Sequence, residues 1–363
     1  MGDAAVSAAA VATDEEGADV PPPSSFAPPD TLVFSGGGPD GLAFVGCLRA
    51  LERRAGALAR VRTLVGCSAG AIVALFAAVG MTSDDIERWA AEGFEDRSLC
   101  DVDLDGILLA VDRLGLDDGE RAMASVRRAV AARLAEVAPR LCKTSAGAAA
   151  GDPTFVELSK ATGRDLVICV SNLEDGRREL LSVDTSPDFG VAAAVRASIS
   201  IPLLFTPVRA SVRAGAPPRT YVDGGLFDFC PVSHILASGS ATSTLAFRIA
   251  CPTPPAIAST TEEEEEEEEG ASTSALSLSS YGLLLARALI MRTEQAPAGD
   301  DRRGSVTRVR TVDVPSLMLG ASPPVSFDLA SMSLAVAPEA LQAYVRVGVA
   351  SADEFFASFR GGT

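Results

Sequence analysis

The sequence predicts a three-layer α/β/α domain, with helices on both faces of a mostly parallel sheet of about five or six strands. Three observations point there. Two short apolar runs, 31–34 and 62–65, each pass through a glycine-rich loop into an apolar helical stretch. That strand–loop–helix repeat is the opening of a parallel sheet. Further strand-like runs recur at 165–171, 179–183, 219–223 and 243–250. The composition also fits: 47 % of the 363 residues are hydrophobic and only 5 % aromatic, a mixture that packs helices on a Val- and Leu-rich sheet.

Residues 1–29 are Ala-rich, then acidic, then Pro-rich, and are expected to be disordered because they carry little to bury. They lack the basic start of a secretory signal. Met1-Gly2 would suit myristoylation, but Val6 stands where that pattern needs Ser or Thr. A single domain is expected over 30–360. Its first strand runs into Ser35-Gly36-Gly37-Gly38-Pro39-Asp40-Gly41 and then a helix to about Arg54. Its second runs into Gly66-Cys67-Ser68-Ala69-Gly70 and a helix to Val79. A helical insert is expected over 82–150. Ser83 ahead of Asp84, Asp85 and Glu87 starts a helix, and Met123, Val126, Val130, Leu134 and Val137 recur at helical spacing. Ile257 is the one large apolar side chain in 252–275, so that stretch is expected to be a disordered, Glu-rich insertion loop. Helices near 280–294 and 337–359 close the domain.

The net charge is −17, and eight of those charges lie in the Glu run 262–269, leaving −9 elsewhere. Such a chain is no nucleic-acid binder. The seven Cys are odd in number and form no CxxC pair, which implies reduced thiols and an intracellular setting. One His and scattered Cys leave no zinc site. The longest apolar run, 69–81, has 13 residues, short of the roughly 18 that span a bilayer. The oligomeric state is not legible.

Three motifs carry chemistry. Gly66-x-Ser68-x-Gly70 lies between an apolar strand and an apolar helix, as a nucleophile elbow requires. Small residues on either side allow the sharp turn that lifts the serine hydroxyl above the sheet. Gly36, Gly37 and Gly38 can aim backbone N–H groups at a developing oxyanion. Gly36, Gly38 and Gly41 also satisfy a GxGxxG nucleotide fingerprint, but no acid stands at the end of the next strand as that reading needs. Asp223 ends an apolar run and precedes Gly224 and Gly225, where a base could sit above the sheet or a plain turn could form. His234 is the one histidine and stands 11 residues past Asp223 at an apparent helix start. That leaves Asp223 as the better-placed base for Ser68.

Together these blocks resemble the patatin-like phospholipases. Phe34 to Glu52 is similar to the family's oxyanion loop, Val65 to Ala74 to its elbow, and Tyr221 to Val232 to its Asp-Gly-Gly base motif. Gly115-Leu-Asp-Asp-Gly119, Asp152-Pro-Thr-Phe-Val-Glu-Leu158, Asp165-Leu-Val-Ile-Cys169, Ser171-Asn-Leu173 and Ala194-Val-Arg-Ala-Ser-Ile-Ser-Ile-Pro202 follow the family's order. The resemblance covers roughly 31–250. It implies a Ser68–Asp223 dyad without histidine, Gly36 to Gly38 as oxyanion loop, no metal and no cofactor. It also implies acyl-ester hydrolysis on membrane or micellar lipid met from the cytosolic or peripheral side. Burial of Asp223, for instance against Leu226 and Phe227, would raise its pKa and make it a better base. The family usually carries Lys or Arg where this chain has Asp40, so Asp40 is expected to disfavour an anionic headgroup. An inactive lipid-binding relative and a nucleotide-binding protein are the alternatives.

Overall fold

In a computed structural model of the chain the described residues are 28–95, 112–232, 243–250, 308–316, 325–328, 333–336 and 338–358. Most of the expected tail, the insertion loop, the helix near 280–294 and His234 lie outside them.

The main sheet has eight strands. Five run parallel in the spatial order β10 (Arg308–Pro315), β9 (Ser243–Ala250), β1 (Thr31–Phe34), β2 (Thr63–Cys67) and β4 (Asp165–Asn172). Antiparallel β8 (Arg219–Asp223) and β7 (Val208–Ala210) extend it, and β5 (Arg177–Leu181) also pairs with β4. The extra strands over the five or six expected are β7, only three residues long, and β10. The polar–apolar alternation of β10, with Val312 and Val314 buried, is a strand signal beyond the runs named above.

Alternation along the central strands gives each face its own apolar set. Leu32, Phe34, Leu64, Leu166 and Ile168 face the larger core, where Phe34 stacks on Phe247 at 5.5 Å. Val33, Val65, Cys67, Val167 and Cys169 face the other side. The larger core is covered by α1 (Ala43–Glu52) and α2 (Ala69–Ala78), with α3 (Ser83–Glu95) beyond. The insert holds α4 (Glu120–Val137), α5 (Pro139–Thr144) and α6 (Ala146–Ala149). It is not wholly helical: β3 (Gly115–Asp117) pairs in parallel with β6 (Leu203–Phe205). Next come α7 (Phe155–Thr162), α8 (Val191–Ser198) and the closing helix α9 (Pro338–Ser358), near the bounds expected. A separate hairpin joins β11 (Val325–Asp328) to β12 (Ser333–Val336). Helices α1 and α9 touch backbone to backbone, since a Cβ on Gly348 would lie 1.8 Å from the Ala43 carbonyl oxygen.

The edges of β4 position the candidate site. Strand β2 pairs with β4 up to Cys67 opposite Cys169, while β5 occupies the other edge of β4 from Ile168 to Asn172. Strand β8 then takes the edge that β2 has left, with Asp223 opposite Val170. Because β8 runs against β4 and β2 runs with it, the carboxyl ends of β2 and β8 meet head to head on one edge of one strand.

Candidate active site

Ser68 follows β2 directly and precedes α2, so the elbow is where the strand end becomes a helix start. Its backbone has φ 52° and ψ −126°, a left-handed conformation that costs a non-glycine residue about 1–3 kcal/mol. Tight packing holds it there. A Cβ on Gly66 would meet the Gly70 carbonyl oxygen at 2.4 Å, and one on Gly70 would meet that of Ser35 at 2.3 Å. The Ser68 N–H donates to Ser198 Oγ at 2.9 Å, and Ser198 Oγ donates to the Cys169 carbonyl at 2.7 Å. The Ser68 hydroxyl does not cap its own helix. It donates instead to Asp223 Oδ2 at 2.6 Å.

Asp223 is fully buried. Its Oδ1 accepts the N–H of Gly225 at 2.8 Å, and its own N–H donates to the Ser200 carbonyl at 2.9 Å. Gly224 lies so close to β4 that a Cβ would meet the Cys169 carbonyl oxygen at 2.3 Å. Burial pushes the Asp223 carboxyl up to about 6, against the opposing pull of its bonds from Ser68 and Gly225. Phe227, four residues on, is 37 % exposed.

The glycine loop reaches the same place. Gly38 has φ 53° and open space where a Cβ would be, so only its backbone requires glycine. Gly41 permits the short helical turn Gly38–Leu42 to sit on the elbow, as a Cβ there would lie 2.6 Å from that of Ala69. Gly36 differs from expectation. Its N–H donates to the Phe229 carbonyl at 2.8 Å, so it is already engaged within the protein. Pro39 has no N–H.

Asp40 is held from the far edge of the loop. It is only 3 % exposed, and its carboxylate accepts a hydrogen bond from the Ser316 hydroxyl just past β10. A buried carboxylate held this way braces the loop against β10.

Three residues of this neighbourhood were quoted in the sequence without a role. Ser198 and Ser200 fasten Ser68 and Asp223 to the end of α8. Arg196, 5 % exposed, donates to Ser200 Oγ at 2.6 Å, to the Asp118 carbonyl at 2.6 Å and to the Thr206 carbonyl at 3.0 Å. It is a positioning residue that ties the insert to the turn after α8. Two Ser around an Ile, flanked by a helical Arg and a Pro, were the available signal. The N-terminus of α8 is held by Asp152 Oδ1, which accepts from the Ala192 N–H at 2.7 Å.

The arrangement is a buried serine–carboxylate pair at a helix N-terminus, beside a glycine loop. A family model described as patatin-like phospholipase matches residues 32–236, which includes all of these groups. Among curated proteins the chain is 32 % identical over 216 residues to an uncharacterized protein, YqhO, of Bacillus subtilis (strain 168), covering 55 % of this chain and 64 % of that one. It is 24 % identical over 204 residues to a probable lipid hydrolase, 463L, of Invertebrate iridescent virus 6, covering 56 % and 61 %. The matched segments thus span under two thirds of either relative. Among solved structures, VipD from Legionella pneumophila shares the fold with a TM-score of 0.51 at 14 % identity, over 92 % of this chain and 67 % of that one.

Proposed function

The chain belongs to the patatin-like phospholipase family, and from that premise we propose that it hydrolyses acyl esters of lipids through a Ser68–Asp223 dyad. The observation that carries this reading is the 2.6 Å bond from Ser68 Oγ to Asp223 Oδ2, made by a carboxyl whose pKa of about 6 lies near working pH. A general base is most effective there. Membership also replaces the nucleotide reading of Gly36, Gly38 and Gly41, since the family match runs through that loop.

In the first half-reaction Ser68 Oγ attacks the acyl carbonyl carbon while its proton passes to Asp223 Oδ2. The tetrahedral oxyanion accepts hydrogen bonds from the N–H groups of Gly37 and Gly38, with the positive end of α2 behind them. Collapse breaks the ester C–O bond, and the proton on Asp223 leaves with the alcohol. Water then attacks the acyl-enzyme, gives a proton to Asp223 and releases the fatty acid, and the proton returns to Ser68. The partner is lipid met peripherally. Among the described residues no helix is long and apolar enough to cross a membrane.

A fluorophosphonate probe tests the reading. It should label wild-type protein at Ser68, and the protein should hydrolyse a member of a panel of phospholipid, monoacylglycerol and triacylglycerol. Absence of both would leave a lipid-binding relative. The dyad leaves no task for His234, so His234→Gln should keep kcat/KM within about tenfold. A loss of about 10³-fold, as for a missing triad member, would replace the dyad by a triad. Asp40→Asn should lower thermal stability by about 1 kcal/mol through a weakened buried hydrogen bond. It should leave the ratio of anionic to neutral lipid hydrolysis unchanged. A shift in that ratio at equal stability would return Asp40 to the headgroup.

A further inference from the structure

Leu114 and Leu203 combine two features that folding alone disfavours. They are the most exposed of the large hydrophobic side chains among the described residues, at 63 % and 59 %. Both also hold left-handed backbone, with φ 61° and 72°, and the other described non-glycine residue that does so is the nucleophile Ser68. Leucine is strained there, and such outliers persist where surrounding structure enforces them and tend to gather at working sites.

The two leucines share one platform. Leu203 opens β6 and lies opposite Gly115 of β3, with Leu114 the residue before. The strands meet without room for a side chain, as a Cβ on Gly115 would lie 2.5 Å from the Phe205 backbone. From beneath, the buried Arg196 guanidinium holds Asp118 after β3 and Thr206 after β6. The platform therefore displays its leucines rigidly. It is also continuous with the catalytic groups: Ser200, whose carbonyl holds Asp223, is three residues before Leu203. Three residues span at most about 11 Å, so Leu203 stands at the rim of the site. Phe227, 37 % exposed and four residues past Asp223, adds apolar surface on the base's side.

We propose that Leu114 and Leu203 form a docking element that seats the mouth of the site on a zwitterionic lipid surface. The proposal rests on the lipid hydrolase reading for its purpose. A lipid surface is the occupant that fits exposed aliphatic side chains beside a site whose substrate lies in that surface, and burying them there is favourable. The net charge of −17 makes an anionic surface repulsive, which selects zwitterionic lipid.

The test uses full-length protein with phosphatidylcholine vesicles, and the double variant Leu114→Gly with Leu203→Gly. Glycine adopts left-handed backbone freely, so the variant loses the side chains while the strain is relieved. Flotation with vesicles should weaken at least tenfold, and vesicle hydrolysis should fall by a similar factor. Hydrolysis of a soluble short-chain ester should stay within threefold, with an equal or higher Tm. Unchanged flotation overturns the proposal. An equal loss on vesicle and soluble ester, in folded protein, also overturns it, because the leucines then shape the acyl pocket. Wild-type protein that floats but hydrolyses neither substrate would refute the hydrolase reading and leave docking standing. Wild-type protein that hydrolyses the soluble ester without floating would do the reverse.

Discussion

Replacing Ser68 with Ala, or Asp223 with Asn, is expected to lower kcat/KM on an ester substrate by about 10⁴-fold, and replacing both by little more. The two side chains share one proton across 2.6 Å and act as a unit, so neither retains much value without the other. A factor of 10⁴ corresponds to about 5.5 kcal/mol of barrier. The residual rate would reflect only the Gly37 and Gly38 donors and substrate binding. Both substitutions nearly conserve volume, so melts on the same samples should show folded protein. The double-mutant comparison is the informative measurement. Additive losses, or an Asp223→Asn variant that keeps most of its activity, would mean that another group activates Ser68.

The second large effect concerns pH. With the Asp223 carboxyl at about 6, kcat/KM should fall roughly tenfold for each pH unit below that value, because the protonated acid accepts no proton. Stability should move with the same group. Its folded pKa, about 6, lies above the ordinary value of 3.8. The folded protein therefore holds the proton more tightly than the unfolded chain between those limits. Stability from this group is lost as pH rises through that window, and the full cost is present above it. Asp223→Asn cannot ionise, so above pH 7 it should be more stable than wild type by on the order of 1–3 kcal/mol. The gain should vanish as pH falls towards 4. A rate plateau that extends down to pH 4, or a variant less stable at pH 8, would mean that the folded protein does not disfavour the ionised carboxylate.

Much of this was legible in the sequence because it is local. Gly66-x-Ser68-x-Gly70 encodes its own turn, and the parallel strands announce themselves as apolar runs before glycine loops. What escaped is nonlocal. Nothing near Gly36 says that Phe229 will take its N–H, and nothing near Asp40 says that Ser316 lies against it; each partner is contributed by a distant segment. The short β3 and β6 have three residues each and no periodicity to read. Ser198 and Ser200 stood in a quoted motif, but their role depends on the end of α8 reaching both β2 and β8. Asp223 is legible by its place at the end of an apolar run, but the antiparallel run of β8 against β4, which turns that end towards Ser68, is not.

The shared edge of β4 also means that the site is completed by two separate pairings. Thr63 pairs with Asp165 and Val170 with Asp223, so the strand before Ser68 and the strand that ends in Asp223 join β4 by two separate loop closures, each with its own entropy to overcome. As the chain emerges from synthesis, β1, β2 and β4 can zip together with the elbow formed while β8 is still to come. At that stage Ser68 would have its turn but, on the proposed mechanism, no proton acceptor. On the proposed dyad, hydrolytic competence would therefore arrive with β8 and not with Ser68. An incompletely folded chain would, on that reading, be chemically silent until β8 has closed the site.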